Sequence, residues 1–139
     1  MCEEYGSDVK EVKKCIASDT RIGDKFLNSS VGFGGSCFKK DILALIYLAE
    51  YKGLTEVADY WNQVILMNEF RKKNFFLRIY RELNQNLKGK KICIFGTAFK
   101  KDTNDPRESP AVEICNYMLL EGATLHIHDP KTTLEHVTF

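Results

Sequence analysis

The chain has 139 residues, 44% of them hydrophobic and 28% charged, with a formal net charge of +1. That length holds one ordinary domain or two small ones, and so balanced a charge gives no support for nucleic acid or an anionic membrane as the main partner. No run of about 18 apolar residues is present to span a bilayer, and the acidic start MCEEYGSDVKEV does not have the form of a secretory signal.

The five cysteines (Cys2, Cys15, Cys37, Cys93 and Cys115) contain no CxxC spacing. They fit free thiols in a reducing compartment, by default the cytoplasm, better than a disulfide framework or a zinc site.

Met1 to Tyr5 reads as the tail of a helix closed by Gly6. Asp8 opens another, with Glu11 completing a capping box and Val9, Val12 and Ile16 supplying the apolar stripe. The segment SDTRIGDKFLNSSVGFGGS then forms a loop whose length marks it as functional or disordered. Ile42, Leu45, Ile46 and Ala49 predict a helix from near Cys37 through FKKDILALIYLAEYK, stopped by Gly53. Thr55 is the expected N-cap of a third helix running to about Asn86 without proline or glycine. Val57, Tyr60, Trp61, Val64, Met67, Asn68, Phe75, Ile79 and Leu83 approximate one face of it. Such a helix is about 45–50 Å long, suited to connecting domains or to pairing with a second copy.

The hydrophobic period changes at LKGKKICIFG. Lys90 to Phe95 reads as a short buried strand ending at Gly96. A polar loop, TAFKKDTNDPRES, leads to Ser109 as N-cap, Pro110 at the first helical position and a helix over Ala111 to Leu120 closed by Gly122. ATLHIHDP is a second strand. Strand, helix and strand make one βαβ unit of a doubly wound parallel sheet. The fold class is therefore α/β: a helical region over 1–88 with a long connecting helix, then a truncated, Rossmann-like βαβ unit over 89–139. One such unit cannot cover both faces of its sheet, so this domain is expected to be cut short.

Two segments carry candidate chemistry. In VGFGGSC the glycines permit close backbone approach or positive φ, their N–H groups are placed to line a pocket, and Phe33 to cover it. Cys37 lies where a helix begins, and the helix dipole with Lys39 and Lys40 would favour a thiolate. The plain alternative is a buried structural cysteine beside a helix-capping glycine turn. Asp41 lies one turn beyond Cys37 on the same face, where a carboxylate also complements a helix N-terminus. In KKDTNDPRES the alternative is a charged turn with local Asp–Arg pairing. His126 and His128 share one strand face beside Asp129, but nothing completes a metal site; Asp129-Pro130 is expected to end the strand.

RIGDKFLNSSVGFGGSCFKKD, the long helix, GTAFKKDTNDPRESPA and HDP, in this order and spacing, resemble the UDP-glucose/GDP-mannose dehydrogenase family. The cysteine segment reads closest to its UDP-glucose branch. The resemblance implies NAD-dependent oxidation of the sugar's primary alcohol to a carboxylate, UDP-glucose to UDP-glucuronate, in two steps. It implies that Cys37 is the nucleophile that captures the aldehyde as a thiohemiacetal and then carries a thioester. Asp41 would manage the proton or water of hydrolysis.

The same resemblance places Cys37, Lys40 and Arg107 at the cofactor. It gives substrate contacts to Asn28, Ser29, Ser30, Val31, Gly32, Phe33 and Gly34, and to Phe99 and Lys100 in the second loop. Asn28 stands where animal members carry a lysine. Arg21 matches an arginine that reaches a neighbouring subunit's site, which implies a homodimer or higher homo-oligomer through the central helices. Lys39 is expected at the surface. Since no GxGxxG segment occurs, the βαβ unit is expected at the UDP end, and the chain alone is expected to bind NAD poorly and turn over nothing. The competing expectations are a non-catalytic dimerisation or scaffold module and a dehydrogenase of another nucleotide sugar such as GDP-mannose.

Overall fold

The structure, a computed structural model, describes residues 1–132. It contains two compact units, Met1–Ser30 and a second from Val31 onward.

In the first unit, α1 (Cys2–Tyr5) closes on Gly6 at φ 63° and α2 spans Val9–Ala17. Asp8 caps α2 by accepting the Lys10 N–H at 2.8 Å. The return bond from Glu11 that a capping box requires does not form, so the cap is one-sided. Val9, Val12 and Ile16 remain exposed.

The second unit holds α3 (Phe38–Tyr51), α4 (Thr55–Glu82), β1 (Lys91–Phe95), α5 (Pro110–Leu120) and β2 (Thr124–His128). Helices α3 and α4 pack together across a turn at Lys52–Leu54 in which Gly53 takes φ 70°. Leu54, not Thr55, occupies the N-cap of α4. With 28 residues the helix is about 42 Å long. It stops before Asn86 because Asn84 and Gln85 both adopt left-handed φ, 57° and 55°, which a right-handed helix cannot continue.

The face that α4 buries differs from the expected stripe. Ala58, Asn68, Lys72 and Phe76 are buried, while Val57, Tyr60, Met67 and Phe75 are exposed. Asn68, Lys72 and Phe76 follow one another at a spacing of four, which puts them on one face. Two of the three are polar because they meet polar partners rather than the apolar core.

The two strands pair in parallel, Lys91 with Thr124 through Phe95 with His128, and α5 crosses between them as expected for βαβ. The core gathers Phe76 of α4, Leu87, Ile114, Cys115 and Met118 of α5, and Ala123, with Ile92, Ile94 and Leu125 of the sheet against it. Both strands alternate exposed and half-buried residues. So β1 is one-sided rather than buried, because helices cover only one sheet face among the described residues; Phe95 is 80% exposed on the other. The architecture is α/β, with helices preceding a short parallel βαβ unit. No helix among the described residues is long and apolar enough to cross a membrane.

Candidate functional site

The glycine segment owes its bareness to neighbouring protein. A Cβ on Gly34 would lie 2.2 Å from the Glu108 carbonyl oxygen, and one on Gly35 2.8 Å from the Phe99 ring. One on Gly32 would meet Asn68 Oδ1 at 2.9 Å and Lys72 Cγ at 3.0 Å. The loop thus presses against α4 on one side and the loop between β1 and α5 on the other. Its backbone groups are partly spent on these contacts. Phe33 N–H donates to Asn68 Oδ1 at 2.8 Å, Asn68 Nδ2 donates to the Phe33 carbonyl at 3.1 Å, and Gly35 N–H donates to the Arg107 carbonyl at 2.9 Å. The Phe33 and Gly35 amides, expected to line a pocket, are engaged by protein. Val31 packs on the core, and the Phe33 ring stands edge-on to Phe38 with centroids 4.7 Å apart.

The second loop is held from two directions. At the end of β2, Asp129 accepts the N–H groups of Thr97 at 2.7 Å, Ala98 at 3.2 Å, Lys131 at 2.8 Å and Thr132 at 2.9 Å. These donors, Thr97 foremost, hold its carboxyl well below the usual carboxylate range. Farther along, Arg107 forks onto Asp105 with Nε–Oδ1 at 2.9 Å and Nη2–Oδ2 at 2.7 Å. The Asp105 side-chain bond raises the Arg107 pKa. Phe99 N–H donates to the Asp105 carbonyl at 3.0 Å, and Lys100 Nζ sits 5.2 Å from the Phe99 ring centroid. Glu108 takes left-handed φ, 54°, a strained value for a residue with a side chain.

Cys37 occupies the N-cap of α3, exposed, its Sγ 3.7 Å from Ser36 Oγ. Asp41 N–H donates to the Cys37 carbonyl at 2.9 Å, the first bond of the helix. Asp41 and Lys40 are exposed, and both lie within one turn of the thiol. Lys39, expected at the surface, reaches across to Glu108 at 2.7 Å with its side chain 30% exposed; the Glu108 hydrogen bond raises its pKa. A cleft of about 470 Å³ opens beside Ser36 and is lined by Arg107, Glu108, Ser109, Glu113 and Asn116. The buried Ser109 hydroxyl has no hydrogen-bond partner among the described residues.

The buried Lys72 ammonium is missing from the expectations. At 1% side-chain exposure it pairs with Glu69 at 2.8 Å and with Glu113 of α5, joining two helices beneath Gly32. The signal for it is the spacing of four from Asn68, which continues the inward face.

Arg21, Asn28, Ser29 and Ser30 belong to the first unit. There Arg21 is bound to Asp19, its Nε 3.0 Å from Oδ1, and Asn28 Oδ1 accepts from Lys13 Nζ at 2.8 Å. Ser29 and Ser30 are exposed. In the second unit the structure brings together Gly32, Phe33, Gly34, Cys37, Phe99 and Arg107. His126 and His128 lie exposed on the uncovered sheet face.

Comparison with known proteins covers nearly the whole chain. Residues 1–70 match the UDP-glucose/GDP-mannose dehydrogenase family, central domain, and residues 93–138 match that family's UDP binding domain. Over 137 residues, 99% of the chain, it is 53% identical to UDP-glucose 6-dehydrogenase of Gallus gallus and 50% identical to UDP-glucose 6-dehydrogenase 1 of Arabidopsis thaliana. The chain spans 28% of the length of each of these relatives. A solved UDP-glucose dehydrogenase from Pyrobaculum islandicum superposes on 91% of the chain with a TM-score of 0.77 at 35% identity, the match covering 29% of that structure. With one family pattern laid over half of its residues and a second pattern of the same family over the βαβ unit, this chain belongs to the UDP-glucose/GDP-mannose dehydrogenase family.

Proposed function

We propose that the chain carries the thiol-bearing part of an NAD-dependent dehydrogenase that oxidises UDP-glucose to UDP-glucuronate. The observation that carries the reading is the placement of Cys37. It is an exposed thiol at a helix N-terminus, directly after a bare backbone segment clamped between α4 and the second loop. A thiolate there is open to an incoming carbonyl carbon.

Cys37 Sγ adds to the aldehyde carbon formed by the first oxidation, making a C–S bond while the carbonyl oxygen takes up a proton. Loss of hydride from the carbon and of the proton from the hydroxyl turns this thiohemiacetal into a thioester, and water cleaves the C–S bond to release carboxylate, thiol and a proton. NAD, when bound, accepts the hydride at each oxidation. The described residues fit one edge of that cofactor: Lys40 is an exposed cation with no partner among them, and Arg107 keeps a 68% exposed side chain. Asp41, one turn from the thiol, holds or moves the proton of the hydrolytic step.

Val31, Gly32, Phe33 and Gly34 form the sugar and phosphate side of the site, Phe99 and Lys100 approach from the second loop, and the family resemblance assigns Asn28, Ser29 and Ser30 to the substrate as well. The functional division falls at 88/89, helical region before and UDP-binding region after. Arg21 serves a neighbouring copy in a homo-oligomer paired through the central helices, a reading supported by the exposed Tyr60, Leu66, Met67 and Phe70 of α4. Five free thiols suit a cytoplasmic setting.

NAD reduction with UDP-glucose tests the reading in this chain alone and in the whole protein that contains it. Activity is expected only in the latter, with GDP-mannose a poor substrate, and Cys37→Ser is expected to stop glucuronate formation. Normal glucuronate output from Cys37→Ser would remove Cys37 from the chemistry.

A further inference from the structure

We propose that Asn68 is a positioning residue for Cys37, acting from the middle of α4 through the glycine segment; this rests on the reading of Cys37 as the nucleophile. Asn68 is 5% exposed, and its amide accepts from Phe33 N–H at 2.8 Å and donates to the Phe33 carbonyl at 3.1 Å. Phe33 lies outside helix and sheet, so both of its backbone groups need partners that the secondary structure does not supply. A carboxamide is the one neutral side chain that offers a donor and an acceptor side by side. The pair of bonds fixes both peptide planes of Phe33, four residues ahead of the thiol.

The space around the tether is crowded. Any side chain at Gly32 would strike Asn68 Oδ1 and Lys72, and farther down the loop Gly34 lies against the Glu108 carbonyl and Gly35 against Phe99. One turn along α4, Lys72 is anchored to Glu113, so the surface beneath the loop is tied to α5 as well. The carbon that Cys37 meets is therefore set by α4 as much as by α3. Substitution at Asn68 is expected to alter thiol chemistry without contact between Asn68 and substrate.

The test uses the full chain with Asn68→Leu, which removes both bonds, and Asn68→Asp, which keeps the acceptor for Phe33 N–H. Amide exchange by NMR reads the tether, with Met118 of the core as the folding control. Iodoacetamide labelling resolved by mass spectrometry reads Cys37 against the exposed Cys93 in the same molecule, with and without UDP-glucose. In Asn68→Leu the Phe33 amide is expected to exchange about tenfold faster, the effect of losing one hydrogen bond. The Cys37-to-Cys93 labelling ratio is expected to change about threefold or more as the thiol surroundings shift. Asn68→Asp is expected to keep Phe33 N–H protection and still change the ratio, and it decides alone if Asn68→Leu loses protection at Met118.

An unchanged labelling ratio in a folded variant would overturn the proposal and leave Asn68 a structural residue. Unchanged Phe33 exchange in Asn68→Leu would do the same. Absence of UDP-glucose protection at Cys37 in the unsubstituted chain counts against the proposed substrate, not against the tether, which the ligand-free ratio judges.

Discussion

Gly34→Ala is the sharpest probe of the loop packing, because the need for glycine there is purely steric. Gly34 is absent from the positive-φ residues, so an alanine there carries no backbone penalty. The added methyl would sit 2.2 Å from the Glu108 carbonyl oxygen, 2.9 Å from its carbonyl carbon and 3.0 Å from Pro110 Cδ. Carbon and oxygen normally approach no closer than about 3.3 Å without a hydrogen bond, so the two loops must separate by about 1 Å. Both offending groups are backbone or proline ring, which cannot rotate away. Overpacking of this kind costs about 1–3 kcal/mol, and the rigid neighbours put Gly34→Ala near the upper end. Separation also breaks the Gly35 N–H bond to Arg107 and strains the Lys39–Glu108 pair.

Gly53→Ala is the control. Gly53 has φ 70°, and a Cβ there would meet nothing within 4 Å, so Gly53→Ala loses only about 1 kcal/mol to left-handed strain. Urea unfolding of this chain, followed by tryptophan fluorescence and by circular dichroism, measures both. The expected order is Gly34→Ala less stable than Gly53→Ala by about 1–2 kcal/mol, with faster exchange at the Gly35 amide. Equal midpoints, or an unaltered Gly35 amide in Gly34→Ala, would refute the claim that the two loops are in contact.

Three further outcomes are expected. Asp129 has a depressed folded-state pKa, so its stabilisation is present above the unfolded carboxylate value near 4 and is lost as pH falls below it. Asp129→Asn is then expected to cost about 2 kcal/mol at neutral pH and to flatten the acid limb of a stability–pH curve, as urea midpoints between about pH 2 and 7 would record. Burial pushes the Cys115 thiol up to about 11, so native alkylation at mildly alkaline pH is expected to spare it while labelling the exposed Cys15, Cys37 and Cys93; Cys115 labelling without denaturant would contradict the packing of α5. Lys72→Met removes a buried cation whose partners, Glu113 and Glu69, keep 28% and 39% side-chain exposure and can hydrate, so about 1 kcal/mol or less is expected. Glu113→Leu instead leaves a buried ammonium short of a partner, and about 2–3 kcal/mol is expected by denaturation.

The local punctuation of the fold was legible: Gly6, Gly53, Ser109-Pro110 and Gly122 mark real helix ends, and the change of period at LKGKKICIFG marks a real strand. The end of α4 was not, because Asn84 and Gln85 adopt left-handed φ without the glycine that advertises it. The buried face of α4 was misjudged for a related reason. Periodicity ranks Val57, Tyr60 and Phe75 above Lys72, and of the two carboxylates that make a lysine tolerable inside, Glu69 and Glu113, the second is far away in sequence. For the site, the sequence located the thiol, the glycines and the second loop. It did not reveal that the glycines face Glu108 and Phe99, since a glycine signals close approach without naming what approaches.

That partner explains why the two loop motifs belong together. GFGGSC and the FKKDTNDPRES segment look like separate signatures, one for a thiol and one for charges. In the fold two of the three glycines are matched to features of the other segment, Gly34 to the Glu108 carbonyl and Gly35 to the Phe99 ring, while Gly32 faces α4 and Lys39 reaches Glu108. Gly34 leaves room for the carbonyl of Glu108, itself at left-handed φ. Asp129 fixes the near end of the same loop from the end of β2. The thiol site therefore forms as a unit with the βαβ module, and a helical region folding without that module would present Cys37 on an unsupported loop.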